Sequence, residues 1–461
     1  MSDLDVSAPS TPRPEKPQDR SEQTPRTWRD RLRGGQPPAR RRNTATPTHP
    51  RGRARRRGRK PVRRALIVAH RWSSLILGLV LVVECTTGVV LLYHAEIFRA
   101  QHSAFYQHTD TAPVISTEQA VELVRASDPA FDIGWVGTDG GIIAVGDKAY
   151  ASAYSIDPGT GRINERVDLV EGPLGWLVNL HDCAFGCLSS PGAVPALHET
   201  VPLLDLTWSA LILGVLGLLL VVLAVTGAII WWPSLKRWKH GFRVRRRKGR
   251  FARDFDLHNV IGIISVPFLL MWGVTGAAIE MPFVEKAWLA TTGGDTELAP
   301  AQDIYTPRPS AEGSRQISVT EATDSALRAK PGRLAYLMLP TPATPYYVAS
   351  VAGDYAPYGE RAFYSGDVSV YVNAADATDT KVVDKSHDRP LANTFYDKVF
   401  EPAHFGWLVN DWWRIVWAIL GLSPLALMVT GLSTWFFKRR TRRNANAAKA
   451  KQRQPAIDRD A

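Results

Sequence analysis

Four long apolar windows divide the chain, at 64–97, 207–233, 254–281 and 412–437. Each exceeds the roughly 20 residues needed to cross about 30 Å of hydrocarbon. Soluble helices seldom run so far without charge, and Glu84 is the only formal charge deep in the first window. The pattern therefore predicts four transmembrane helices. Between them lie two long polar stretches, 98–206 and 282–411, and one short one, 234–253. Within the long stretches the periodicity changes. ISTEQAVELVRASDP and ISVTEATDSALRAKPG read as short helices, while IIAVGDKAYASAYSIDPGTGRI, LAYLMLP, YYVASV and DVSVYVNAADATDTKVV read as strands. DPGTG is a tight-turn sequence, because glycine supplies positive φ. Each long stretch thus predicts one small helix-plus-antiparallel-sheet module ahead of a span.

The apolar windows share an internal mark. His70 precedes Gly88 by eighteen positions, and His258 precedes Gly276 by the same interval. All four windows carry a Thr-Gly step: Thr87-Gly88, Thr226-Gly227, Thr275-Gly276 and Thr430-Gly431. A recurring unit of this kind predicts two pseudo-repeats, each reading span, module, span. GWLVN also occurs twice, at 175–179 and 406–410, but His181 follows its copy and His404 precedes its own. Alignment by GWLVN and alignment by histidine therefore disagree, and both remain open at this level.

Charge sets the orientation. The formal net charge of +12 over 461 residues is concentrated in RGRARRRGRKPVRR before the first window, KRWKHGFRVRRRKGR between the second and third, and KRRTRR after the fourth. The mean hydropathy of −0.13 averages these runs with the apolar windows. By the positive-inside rule both termini and the 234–253 loop are cytoplasmic and the modules face outward. Residues 1–63 are rich in Pro, Arg, Ser, Thr and Gly and poor in large apolar side chains, which predicts a disordered basic tail. A second basic tail follows at 438–461. Attraction to anionic lipid explains these runs more simply than nucleic acid does, and no specific nucleic-acid partner is expected. No cleavable signal peptide is visible. Trp231, Trp232, Trp412, Trp413 and Trp435 sit at window ends, where interfacial anchoring accounts for them.

Four of the eleven histidines have paired membrane-edge placements: His70 and His258 at the cytoplasmic ends of spans one and three, His181 and His404 just before spans two and four. Two imidazoles near each face are what two six-coordinate haems require. Two stepping stones suit an electron crossing about 30 Å of hydrocarbon. Snorkelling interfacial histidines are the plainer alternative. His94, at the outer end of span one, and His198, before span two, are weaker candidates for the outer ligands; His102, His108, His240 and His387 read as surface residues. The span glycines fit close helix packing or room for a flat macrocycle. Glu84 is a candidate proton relay by location, or a cap on a polar cluster with Thr86 and Thr87. Cys85 reads as packing. Cys183 and Cys187, on the outer side, are a candidate disulfide, although their spacing alone does not prove a bridge.

Several of these motifs resemble the PepSY-associated transmembrane family, which includes inner-membrane ferric-siderophore reductases and iron-regulated membrane proteins. The resemblance rests on HRW…TG at 70–88, LH at 180–181, TGAIIWWP at 226–233, FDLHNVIG at 255–262, H-x-G at 404–406 and IDPGTGRI at 156–163. It covers 64–440. It implies an α-helical membrane protein of four transmembrane helices in two pseudo-repeats, with two small extracytoplasmic α+β PepSY-like modules. It also implies haem b, two groups, held at His70, His181, His258 and His404, and delivery of electrons to a ferric chelate outside. The chain departs from the pattern in CLSSPGAVPALHET, inserted between His181 and span two, and in its long basic tail. No G-x-G-x-x-G fingerprint follows a strand, so the expected electron donor is a cytoplasmic partner or a membrane quinol. A PepSY membrane sensor, scaffold or protease regulator without catalysis is the alternative; a transporter is a third reading, for which Glu84, the one acidic residue deep within a span, offers little pathway.

Overall fold

The computed structural model describes residues 60–232, 238–297, 305–309, 314–352, 368–384, 389–408, 410 and 412–453. Most of the predicted disordered tail, His387 and parts of the second predicted module lie outside the described residues. The chain runs through α1 (Lys60–Ile76), α2 (Gly78–Leu91), α3 (His94–Gln101), α4 (Thr117–Ser127), strands β1 (Ile133–Asp139), β2 (Ile142–Asp147), β3 (Ser152–Ile156) and β4 (Ile163–Asp168), then α5 (Gly172–Cys183), α6 (Pro195–His198) and α7 (Trp208–Trp231). It continues through α8 (Arg250–Glu280), α9 (Pro282–Thr292), α10 (Val319–Ala329), β5 (Arg333–Met338), β6 (Tyr346–Ala352), β7 (Val368–Asn373) and β8 (Asp376–Asp384). It closes with α11 (Leu391–Phe395), α12 (Glu401–His404), α13 (Trp413–Gly421) and α14 (Ser423–Arg453).

Among the described residues, three helical segments are long and apolar enough to cross a membrane: α7, α8, and α13 running on into α14. A fourth crossing is reached if α1 and α2 count as one span. Here the structure departs from the expected single helix over 64–97. The axis bends by 64° between Ile76 and Gly78, and a turn at Leu92–Tyr93 separates α2 from α3. Local chemistry explains the first break. Ser74 Oγ donates back to the Arg71 carbonyl, Gly78 follows four residues on, and a side chain bonded into the helix turn and a glycine are both common at sharp kinks. The fourth helix also differs from expectation, running past 437 to Arg453. Residues 438–453 are mostly Ala, Lys, Arg, Gln and Asn, without Pro, Gly or acid, and such residues hold a helix on propensity alone. α7 and α8 meet at Gly217 and Gly273. A Cβ at Gly217 would stand 2.8 Å from the Gly273 carbonyl oxygen, so only glycine allows this approach.

The expectation of two separate modules is corrected by the sheet. All eight strands form one antiparallel sheet in the order β4-β3-β2-β1-β5-β6-β7-β8. β1 and β5 join the halves through Trp135↔Met338, Val136↔Leu337 and Gly137↔Tyr336. At Gly137 a Cβ would lie 2.7 Å from the Ala335 carbonyl. Pairing these strands satisfies backbone groups that two four-stranded sheets would each leave at an edge. The helices begin alike. Ser116 with Gln119, and Ser318 with Glu321, form reciprocal capping boxes for α4 and α10. Both helices pack on one face of the sheet, where Val121, Val124, Ala322 and Ala326 share a core with Val145, Leu337 and Val370. The opposite face of the first half rests on Phe98, Phe105 and Leu174, so α3 and α5 tie sheet to membrane helices. The outermost strands carry Glu165, Arg166 and Asp168 on β4, and Asp376, Asp379, Lys381 and Asp384 on β8. Charge on edge strands discourages pairing with another chain.

Candidate functional site: four histidines on four Thr-Gly steps

Each Thr-Gly step holds one histidine from a different helix. His70 Nδ1 lies 3.0 Å from Thr226 Oγ1. His181 Nδ1 lies 2.9 Å from Thr87 Oγ1, His258 Nδ1 3.1 Å from Thr430 Oγ1, and His404 Nδ1 2.7 Å from Thr275 Oγ1. The adjacent glycine receives the ring. A Cβ at Gly88 would stand 2.7 Å from His181 Cε1, and Cβ atoms at Gly227, Gly276 and Gly431 would stand 3.3, 3.3 and 3.4 Å from Cε1 of His70, His404 and His258. Thr supplies the hydrogen bond and Gly the room, which is why the two residue types sit side by side.

The hydroxyls fix the tautomer. Thr226, Thr275 and Thr430 donate to the carbonyls of Val222, Met271 and Ala426 at 2.6, 2.7 and 2.7 Å, and Thr87 donates to the Glu84 carbonyl at 2.8 Å. With its one proton so committed, each hydroxyl meets the imidazole as an acceptor. Nδ1 is therefore the protonated nitrogen, and Nε2 keeps a lone pair. At His258 the Leu427 carbonyl, 3.0 Å from Nδ1, makes the same demand, since a carbonyl only accepts. An imidazole held by Nδ1–H with Nε2 bare is a ligand ready for a metal.

The four rings form two pairs. His70 and His258, at the basic ends of α1 and α8, line one cavity of about 1460 Å³ and lie within electrostatic range of each other. That volume exceeds the roughly 300–1,000 Å³ usual for small-ligand pockets. Two buried donors facing this region, Arg71 Nε and Trp231 Nε1, have no hydrogen-bond partner among the described residues. An unmet buried donor is costly, so the cavity suits a ligand bringing acceptors. His181 and His404, on α5 and α12 at the sheet end, are likewise within electrostatic range. Burial pushes the His181 imidazole down to about 4. Burial, and then the neighbouring His181, push His404 down to about 3. Both rings are neutral at ordinary pH, as ligation demands. No group of three or more His, Cys, Asp or Glu among the described residues converges as a protein-only metal site would.

The sheet-end pair is asymmetric. Glu84 Oε1 lies 3.1 Å from His181 Nδ1. On the other side, Trp272 Nε1 donates to the His404 carbonyl at 3.2 Å. Glu84 thus touches a histidine rather than forming a cap with Thr86. Cys183 and Cys187 form a disulfide with Cα atoms 5.6 Å apart. It closes the turn just after His181, and Asn179, fully buried, ties the same loop through the Pro191 carbonyl and the Cys187 N–H.

The two weaker candidates lie elsewhere. His94 stacks on Phe98, and His198 Nδ1 bonds the Gly186 carbonyl at 3.1 Å, bracing the inserted loop. Neither reaches a Thr-Gly step. His102 packs against Phe98 with the rings tilted by 40°, and His108 bonds the Tyr106 carbonyl. The conflict between the GWLVN copies and the histidines is settled by contact: His181 and His404 make equivalent bonds to Thr87 and Thr275. The four threonines are the histidines' partners that position along the chain does not single out. Their signal was present, as four Thr-Gly steps to four edge histidines.

Comparison with known proteins places this arrangement. An uncharacterized protein of Pseudomonas aeruginosa is 32% identical over 107 residues, a match spanning 23% of this chain and 21% of that protein. The family model described as the PepSY-associated TM region matches residues 67–438. With most of its length covered by that match and apolar helices fit to cross a membrane, the chain belongs to the PepSY-associated TM region family of membrane proteins.

Proposed function

We propose that this protein carries electrons across the membrane on two haem b groups and reduces a ferric chelate on the extracytoplasmic side. In this reading α1–α2, α7, α8 and α13–α14 are four spans in two pseudo-repeats. The basic 234–253 loop and both termini are cytoplasmic, and the eight-stranded sheet is outside. His70 and His258 hold one group, His181 and His404 the other.

The single observation that carries the reading is the four-fold His–Thr–Gly contact, which engages Nδ1 of four imidazoles arranged as two pairs and leaves Nε2 for another partner. Each pair of imidazoles could hold one six-coordinate haem iron. Gly88 leaves space where a Cβ would press on the His181 ring, Gly227, Gly276 and Gly431 let the other rings lie close, and the unmet Arg71 and Trp231 donors suit an acidic, acceptor-rich ligand. When bound, haem supplies reversible one-electron storage at two depths of the bilayer. The chain's own contribution is positional. Thr226, Thr87, Thr430 and Thr275 fix ring orientation and raise the basicity of Nε2. The apolar spans exclude water from the route. Glu84 places a carboxyl oxygen 3.1 Å from His181 Nδ1, a second acceptor that helps fix the ring.

The test is electron delivery across a sealed membrane. Proteoliposomes loaded with dithionite are given a ferric hydroxamate outside, and ferrous iron is trapped by a colorimetric chelator. The expected result is external reduction well above empty liposomes, abolished by His258→Ala and by His404→Ala. Equal rates with and without protein would end this reading and favour a sensor or scaffold.

A further inference from the structure

The cavity beside His70 and His258 has a basic mouth larger than a haem requires. Among its described lining residues nine are Arg or Lys and one, Asp256, is acidic. Asp256 is already engaged, accepting from Arg245 Nε and Nη2, both at 2.8 Å. The two carboxylates of a haem b would neutralise two cations. A large positive excess then remains directly over the basic-end histidines.

Its arrangement is specific. Arg439, Arg442, Arg443 and Asn446 recur at i, i+3, i+4 and i+7 on α14, and all four line the cavity mouth. Residues at that spacing share one face of a helix. This face of α14 therefore looks over the cavity, where a belt serving lipid headgroups alone would be turned outward. Opposite stand Arg63 on α1 and Arg243 and Lys248 ahead of α8. α14 also continues for sixteen residues after Phe437, roughly 24 Å at 1.5 Å per residue, with no acid among them. The resulting surface has the reach of a protein contact rather than that of a single headgroup.

We infer that this mouth is the docking surface for an acidic, soluble one-electron carrier protein, which supplies the electrons. The inference rests on the reading of His70 and His258 as haem ligands. The transfer is balanced as it stands: one electron leaves the reduced carrier, one ferric iron becomes ferrous, and no bond or proton changes place. Complementary charge steers such encounters and makes them salt-sensitive.

The experiment uses the full chain in nanodiscs of zwitterionic lipid, with an acidic two-iron, two-sulfur ferredoxin as probe. Binding of the oxidised ferredoxin is followed by surface plasmon resonance, which needs no haem. Reduction by the reduced ferredoxin is followed by stopped-flow absorbance, with photoreduced 5-deazariboflavin, a small neutral reductant, as the charge-insensitive control. We expect ferredoxin association to fall steeply with salt, and to drop about tenfold or more in R439E/R442E/R443E. R439K/R442K/R443K should keep most of it, and the neutral reductant should reduce all three proteins alike. These side chains are exposed, so the substitutions leave the packed helices intact. Ferredoxin binding or reduction at the wild-type rate in the charge-reversed protein would overturn the inference. So would loss confined to anionic vesicles in a wild type that never binds ferredoxin, which would identify a lipid belt. A colourless protein that still binds ferredoxin would defeat the haem reading and leave the dock standing.

Discussion

The two histidine pairs reach one chemical arrangement by different structural means. At the basic end, His70 and His258 belong to membrane helices themselves and border an open cavity. At the sheet end, His181 and His404 come from short helices ahead of the spans, held by the turn, the disulfide and the aromatic packing around them. The hydrogen bond is the same in all four cases, yet its backup differs. His258 has the Leu427 carbonyl as a second acceptor, whereas among the described residues His404 Nδ1 bonds Thr275. His181 has a carboxylate as well. The lesson is that Nδ1 anchorage is the shared requirement, while the surroundings are free to tune each pair separately.

His70→Ala or His258→Ala should remove the basic-end haem and halve the haem content per chain by pyridine haemochrome assay, with the sheet-end group retained; His181→Ala or His404→Ala should do the reverse. Thr275→Val should weaken the sheet-end group about 10- to 100-fold, read as haem loss on dilution. Thr430→Val should do less, because His258 keeps its carbonyl partner. Equal losses would mean that the hydroxyl does more than hold Nδ1. Gly88→Ala forces a Cβ to within 2.7 Å of His181 Cε1. Overpacking of this kind costs about 1–3 kcal/mol, so the sheet-end spectrum should shift or fade. Gly431→Ala, at 3.4 Å from His258, should change the basic-end spectrum little. Cys183→Ser with Cys187→Ser opens a short loop, worth about 2 kcal/mol in the chain-entropy account. It should speed thermal loss of the sheet-end group and leave the other unmoved.

Much of this was legible in the sequence, for identifiable reasons. Apolar windows report spans because lipid offers backbone groups no partner, and 207–233 and 254–281 agree closely with α7 and α8. The histidines stood out because position and spacing repeated. The capping boxes at Ser116 and Ser318 are local, so the two module helices were readable as well. What stayed hidden was long-range. Nothing near Val136 announces that it will pair with Leu337, so one sheet read as two modules. The break at Leu77 depends on Ser74 and Gly78 among residues that are otherwise strongly apolar. The Thr-Gly steps were visible as a mark, but their use as histidine seats required contacts between helices distant in sequence. His94 and His198 attracted notice by position alone, and position does not reveal whether a ring meets a hydroxyl.

The most direct measurement is a potentiometric titration of the purified protein followed by visible absorption. Two separate one-electron transitions with a split α-band are expected, the first lost in His258→Ala and the second lost in His404→Ala. A colourless preparation, or a single spectrum indifferent to all four histidine substitutions, would contradict the account.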